Sequence, residues 1–265
     1  MLPRVIGHRG AAACAPENTL AGFRRAKALG CGWVEFDVRL TVDGAPILMH
    51  DDRLGRTTNG SGRVAALSLA AIRRCDAGGW FDRSFAGELV PTLDEAIAVL
   101  AELGLGVNLE VKAARGRGAD TGAAAAGLLA RLWPVRLPAL ISSFLPDALA
   151  AAGEHAPQIP RGLLFHSVPK NWRTRAESQG CAAIHADHRL LRPAIVAEIV
   201  NSGYSVLAYT VNDAARARTL FGWGVASVFS DVPHILLAAL AGGGADPSAA
   251  AAAGSAETAR PGAVW

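Results

Sequence analysis

Two short segments carry acidic residues where an interior strand wants apolar ones. In Trp33-Val34-Glu35-Phe36-Asp37-Val38 the side chains of an extended chain alternate between faces. Glu35 and Asp37 therefore share one face, and Val34, Phe36 and Val38 share the other. Val107-Asn108-Leu109-Glu110-Val111-Lys112 repeats the pattern, with Asn108, Glu110 and Lys112 opposite three aliphatics. If the aliphatic faces pack against helices, three carboxylates converge inside the protein. Such like charges repel, and each is costly to desolvate unless a cation joins them. Glu35, Asp37 and Glu110 thus read as a hard-oxygen set suited to Mg²⁺ or Ca²⁺. The competing reading is a self-contained salt-bridge network around Lys112 and Arg39.

Near the start of the chain, the strand-like Val5-Ile6-Gly7 runs into His8-Arg9-Gly10. Histidine titrates near neutrality, and an arginine fork matches phosphate oxygens. One histidine at a strand end is more often structural than catalytic, but His50 supplies a second. Asp43-Gly44 between two strand-like segments signals a tight antiparallel hairpin, and a two-residue turn there sets Asp37 opposite His50. The chemistry these residues describe is in-line displacement at a phosphodiester. His8 and His50 flank phosphorus as acid and base, Arg9 and Lys112 hold its oxygens, and the cation offsets charge.

Such a site needs a frame that brings distant segments together. Strand-like pieces at 5–7, 33–40, 46–50, 107–112, 139–143, 162–165, 182–185, 206–211 and 227–230 alternate with helical stretches at 19–29, 93–103, 121–132, 146–152, 193–201 and 213–221. The spacing predicts an α/β protein, a (β/α)₈ TIM barrel whose second and third strands form the hairpin. Residues 51–90 read as a small inserted subdomain after the third strand, capping the barrel mouth. Its Trp80, Phe81 and Phe85 are expected to form the insertion's own core, with a substrate entrance as the alternative. The barrel is expected over 1–240. The Ala/Gly-rich 241–265 is expected to be a disordered tail, because it offers too little apolar bulk to offset ordering.

Apolar residues make up 51% of the 265, enough for one large core. The formal charge of +3 is small and scattered, without the basic stripe that nucleic acid or an anionic membrane requires. Cys14, Cys31, Cys75 and Cys181 form no CxxC pair, which argues against a disulfide framework or a zinc site. A strand starting almost at Met1 leaves no room for a signal peptide, and no apolar run is long enough to span a bilayer. The expected compartment is the cytoplasm.

Taken in order, several motifs resemble the glycerophosphodiester phosphodiesterases, most closely the bacterial cytoplasmic type. They are His8-Arg9-Gly10, Pro16-Glu17-Asn18-Thr19, Val34-Glu35-Phe36-Asp37-Val38, Thr41-Val42-Asp43-Gly44, His50-Asp51, Arg56-Thr57, Pro91-Thr92-Leu93, Glu110-Val111-Lys112, Ser142-Ser143-Phe144, Tyr209-Thr210-Val211-Asn212 and Ser230-Asp231-Val232-Pro233. The resemblance spans 5–233. It implies a barrel with Glu35, Asp37 and Glu110 as divalent metal ligands, His8 and His50 as the acid–base pair, and Arg9 and Lys112 as phosphate clamps. It further implies that a neighbouring glycerol hydroxyl attacks phosphorus and expels the alcohol, after which water opens the cyclic phosphate to give glycerol 3-phosphate. Glu17 and Asn18 would brace the site, Asn18 having an alternative reading as a helix N-cap. Tyr209 stands where the family often has Trp, on the wall of the glycerol pocket, and Ser-Asp-Val-Pro stands where Thr-Asp-Tyr-Pro is common. His185 and His188, at another strand end, read as structural or rim residues.

The implied partners are small glycerophosphodiesters, with no nucleic acid and no stable membrane association, in a monomer or homodimer. The nearest rival is a phospholipase D-like metal phosphodiesterase on the same barrel. A Schiff-base lyase with Lys112 as nucleophile would leave the three acids without a task, and a catalytically dead binding barrel is the third alternative.

Overall fold

The computed structural model describes residues 2–241, so the expected tail lies outside the described residues apart from its first position. The strands are β1 (Val5–Gly7), β2 (Trp33–Leu40), β3 (Pro46–Leu48), β4 (Gly106–Val111), β5 (Ala139–Ser143), β6 (Arg161–Phe165), β7 (Ala183–Asp187), β8 (Ser205–Tyr209) and β9 (Ser227–Ser230). Eight of them run parallel and close a barrel in the order β1-β2-β4-β5-β6-β7-β8-β9. β3 lies antiparallel on β2. The helices are α1 (Leu20–Ala28), α2 (Leu69–Ile72), α3 (Leu93–Leu103), α4 (Gly118–Leu132), α5 (Pro146–His155), α6 (Trp172–Ser178), α7 (Pro193–Asn201), α8 (Ala214–Trp223) and α9 (Pro233–Ala241). The chain is a TIM barrel.

Alternation along the strands decides which side chains enter it. Val34, Phe36 and Val38 of β2 and Val107, Leu109 and Val111 of β4 are buried with Phe23 of α1, Leu93 and Leu100 of α3 and Leu129 of α4. Each such side chain removed from water contributes about 1.5–3 kcal/mol, so β2 and β4 are fixed with their polar faces inward. A similar cluster joins Ile184, Val206 and Val228 to Trp172, Val196 and Leu220. The bottom of the barrel is plugged by Ile6, Trp33, Leu140, Ala183, Leu207 and Phe229. Gly106 is required there, because a Cβ would sit 2.4 Å from the Trp33 ring.

Helix starts follow from local chemistry. Thr92 and Glu95 form a reciprocal capping box at α3, and Gly104 ends that helix in the left-handed conformation. Thr19 caps α1 by accepting from the Gly22 amide. Helix α6, not expected from the sequence, buries only Trp172 and Ala176, too few positions to leave a periodic signal. Helix α9 was equally hidden, since its run of Ile, Leu and Ala lacks a polar face.

The hairpin register differs from expectation by one residue. Gly44 adopts φ 79° and closes a three-residue turn over Val42-Asp43-Gly44, with the Thr41 amide donating to the Ala45 carbonyl. Val38 consequently pairs with Leu48, and Asp37 lies opposite Met49 rather than His50.

Between β3 and α3 the chain forms α2 and short 3₁₀ turns over an aliphatic cluster of Ile47, Met49, Leu54, Val64, Ile72, Ala77 and Val90. The aromatic trio is not that core: Trp80 is 41% exposed, and it stacks edge-on with Phe81, which stacks edge-on with Phe85. So few residues cannot cover three large rings, and aliphatics fill the interior instead. Arg73 grips Glu95 of α3 through two bonds of 2.6 and 2.8 Å, and Glu88 accepts from the Ala21 amide of α1, so both flanking helices hold the segment.

Candidate active site

The β2–β4 register sets Asp37 beside Glu110 and Glu35 beside Asn108. Glu35, Asp37 and Glu110 are buried, and one oxygen from each lies within 4.8 Å of the others. Burial, then the charges of Asp37 and Glu110, hold the Glu35 carboxyl well above its ordinary pKa. Burial pushes Asp37 the same way, but Lys112 and Arg9 outweigh it and hold Asp37 low. Glu110 is raised by burial against the pull of Lys112.

Whether these acids suit a cation turns on what already compensates them. Lys112 Nζ lies 2.5 Å from Glu110 Oε1 and 3.6 Å from Asp37 Oδ1, but Glu35 is outside that pair. Glu35 Oε2 accepts from the Arg9 amide, while its buried Oε1 has no hydrogen-bond partner among the described residues. Arg39 donates instead to the His50 carbonyl, at 2.9 and 2.7 Å. The salt-bridge alternative therefore leaves one interior carboxylate uncompensated, and the donor set fits a hard divalent ion.

Arg9 and Asn18 both take left-handed backbone conformations, φ 50° and 56°. This is uncommon outside glycine and tolerated best by asparagine. The bend is held by the Arg9 amide on Glu35 and by the Asn18 amide on the Arg9 carbonyl. Arg9 Nε sits 3.4 Å from Asp37, and its Nη1 donates to Glu17. Asn18 clamps Asp37 from both sides, donating to Oδ2 at 2.8 Å and accepting from the Asp37 amide at 3.0 Å. Its alternative as N-cap is overturned, since Thr19 fills that position.

Each proposed catalytic histidine has Nδ1 on a carboxylate, His8 on Asp231 at 2.6 Å and His50 on Asp51 at 2.7 Å. That arrangement leaves Nε2 of each ring free of the carboxylate, and His8 Nε2 lies 3.9 Å from Glu35 Oε2. Burial lowers the His50 pKa against the raising influence of Asp37. Both rings line one cavity of about 150 Å³ at the barrel mouth, with Arg9, Glu35, Glu110 and Lys112. Tyr209 lines it through its ring, with the hydroxyl committed to the Phe165 carbonyl at 2.8 Å. Trp80, Phe81 and Phe85 are not among its lining residues.

Four residues named in the sequence received no part there in positioning the histidines or Glu17. Asp51 follows His50 directly, and Arg56 ties Asp51 to Glu17. Arg39 steers the His50 backbone. Asp231 is remote in sequence, yet barrel closure pairs Gly7 with Ser230 and so brings Asp231 beside His8. That pairing of first and last strands was the available signal. The two histidines read as structural or rim residues part company: His188 accepts from Arg216 at the rim, whereas His185 lies mid-strand in β7, fully buried, and faces the cavity floor. β7 continues past His185 to Asp187, so His185 is not at a strand end. Glu110 and Asp37 also hold the Lys112 ammonium above its ordinary pKa, although burial alone would lower it. A Schiff-base nucleophile needs the opposite shift.

The polar mouth on a plugged barrel is that of a (β/α)₈ enzyme, a class whose chemistry sits at the C-terminal ends of the strands. Comparison with known proteins narrows the class: the profile of the Glycerophosphoryl diester phosphodiesterase family matches residues 8–235, and the chain belongs to that family. A glycerophosphodiester phosphodiesterase of Caldanaerobacter subterraneus subsp. tengcongensis is 31% identical, over 91% of this chain and 98% of that protein. A phosphodiesterase of Oleispira antarctica, solved in complex with the product sn-glycerol-3-phosphate, is 42% identical with TM-score 0.88, covering 91% of this chain and 97% of that one. A glycerophosphodiester phosphodiesterase of Agrobacterium tumefaciens is 28% identical with TM-score 0.72, over 89% of this chain and all of that one.

Proposed function

We propose that this phosphodiesterase hydrolyses glycerophosphodiesters to sn-glycerol 3-phosphate and an alcohol, with a divalent cation held by Glu35, Asp37 and Glu110. The uncompensated Oε1 of Glu35 among three buried carboxylates carries the proposal. When bound, the ion, Mg²⁺ or Ca²⁺, supplies positive charge against a phosphodiester oxygen. Arg9 and Lys112 clamp the remaining oxygens. One of His8 and His50 takes the proton of the neighbouring glycerol hydroxyl as its oxygen bonds to phosphorus, and the other protonates the departing alcohol. Burial lowers the His50 pKa, which suits that ring to the role of base. Water then opens the cyclic ester with the roles reversed. Asp51 and Asp231 hold the two rings, and Glu17 and Asn18 hold Arg9 and Asp37.

The named activity of the relatives and the product bound to the Oleispira antarctica protein support this reading. In it, residues 1–240 form the barrel domain, with 51–90 as an inserted cap. Four cysteines left as free thiols accord with a reducing, cytoplasmic compartment. Among the described residues no helix is long and apolar enough to cross a membrane.

The test is release of sn-glycerol 3-phosphate from glycerophosphocholine by protein stripped of metal and then supplied with Mg²⁺ or Ca²⁺. Turnover is expected only after the ion is restored, and full activity in a chelator would overturn the metal assignment. Release of choline from lysophosphatidylcholine, with none from glycerophosphocholine, would favour the phospholipase D-like alternative.

A further inference from the structure

The His185 ring is wholly buried inside the barrel, yet neither of its nitrogens has a hydrogen-bond partner among the described residues. Its place is prepared by the neighbouring strand, where a Cβ on Gly162 would come within 2.5 Å of His185 Nε2. Phe229 packs against the ring, with centroids 5.4 Å apart. Across the barrel, Asn108 repeats the situation. Its Nδ2 donates to Ser142 Oγ at 3.0 Å, which fixes the amide and leaves the buried Oδ1 unpartnered. Both residues line the catalytic cavity. An unmet buried polar atom costs about 1–3 kcal/mol, and these atoms of His185 and Asn108 belong to residues that border the same cavity as Glu35.

We propose that His185 and Asn108 form the recognition floor of the active site, binding the terminal hydroxyl of the substrate's glycerol moiety. The assignment rests on the phosphodiesterase reading above. Asn108 sits two residues before Glu110 on β4, so its layer lies about 6–7 Å below that carboxylate along the strand. A three-carbon polyol extended inward from a phosphorus held at the mouth has a comparable reach. Burial depresses the His185 pKa to about 3, so the ring is neutral and presents one N–H and one lone pair. Either nitrogen can serve a hydroxyl, the N–H by donating or the lone pair by accepting, and a neutral ring is poorly suited to a second anion. Asn108 Oδ1 accepts a hydrogen bond from the same hydroxyl when His185 donates to it.

The experiment compares wild type with His185→Leu, in the presence of Mg²⁺, for binding of sn-glycerol 3-phosphate and of inorganic phosphate by calorimetry. Loss of a hydroxyl contact is expected to cut the preference for sn-glycerol 3-phosphate over phosphate by about 10- to 100-fold. A purely structural role would weaken both ligands alike, and an unchanged preference overturns the proposal. On ¹⁵N-histidine wild-type protein, sn-glycerol 3-phosphate should shift the His185 ring resonances and inorganic phosphate should not. A silent ring overturns the proposal without relying on any variant. If wild type releases sn-glycerol 3-phosphate from glycerophosphocholine and His185→Leu keeps its ligand preference, only this inference falls. If wild type releases none, the functional reading falls and takes the inference with it.

Discussion

On the side of the cavity built by β1, β2 and β4, the lining residues are His8, Arg9, Glu35, Asn108, Glu110 and Lys112; on the side built by β6, β7 and β8 they are Leu164, His166, His185 and Tyr209. Almost every ionisable group on the first side is gripped by another: Arg9 by Glu17, Glu110 by Lys112, His8 by Asp231, His50 by Asp51. The second side carries no carboxylate, lysine or arginine, and its deepest polar group touches none. Charge concentrated on one wall gives a phosphate a single place to sit, while the neutral wall shapes the organic part of the ligand. Substitutions on the two walls should therefore fail in different ways.

The largest separation between the walls should come from the two histidines proposed as acid and base. His8→Ala and His50→Ala are each expected to lower kcat by about 10³-fold, about 4 kcal/mol of barrel-held catalysis, while circular dichroism shows an intact fold. Near-normal turnover in either variant would remove that histidine from the chemistry.

Next in size is metal-linked stability. Mg²⁺ at 100 times its dissociation constant should stabilise wild type by about 2.7 kcal/mol, seen as a rise in melting temperature. Glu35→Gln should lose most of that gain. In a chelator the same variant should melt no lower than wild type, because it removes a carboxylate that burial and two like charges already disfavour. A variant that melts lower without metal would mean that Glu35 is compensated by the protein itself.

The carboxylates behind the histidines come third. Asp51→Asn and Asp231→Asn should cost about 10- to 100-fold in kcat by releasing the ring orientation, with little change in KM. A KM effect alone would move these aspartates from orienting the rings to contacting substrate.

Much of this was legible before any coordinates. Repeated βα alternation gave the barrel because periodicity is local, and acids inside apolar strands exposed the site because burial makes them costly. The hairpin register was misjudged by one residue because Gly44 supplies a left-handed third position that an Asp-Gly pair does not announce. His50 still reaches the cavity, since β3 ends at Leu48 and Arg39 draws in the His50 carbonyl. Asp231 stayed hidden because its meaning depends on closure between the first and last strands. The isolation of His185 is hidden for a related reason: it is a property of the assembled barrel, not of Ala183-Ile184-His185-Ala186.

That isolation makes the last and smallest prediction, which concerns pH. The folded His185 ring binds its proton only near pH 3, whereas in the unfolded chain it does so near 6.5. Because the folded pKa is depressed, the unfolded state takes up the extra proton as pH falls. The stability tied to the neutral ring is thus complete above 6.5 and is lost progressively between 6.5 and 3. For this one group the loss amounts to about 1.4 kcal/mol by pH 5.5. Denaturant midpoints measured at pH 8 and pH 5.5 should therefore fall further in wild type than in His185→Leu, whatever the leucine does to stability at pH 8. Equal falls would mean that the folded ring accepts a proton at ordinary pH, so that the neutral wall is not neutral and the contrast between the two sides of the cavity collapses.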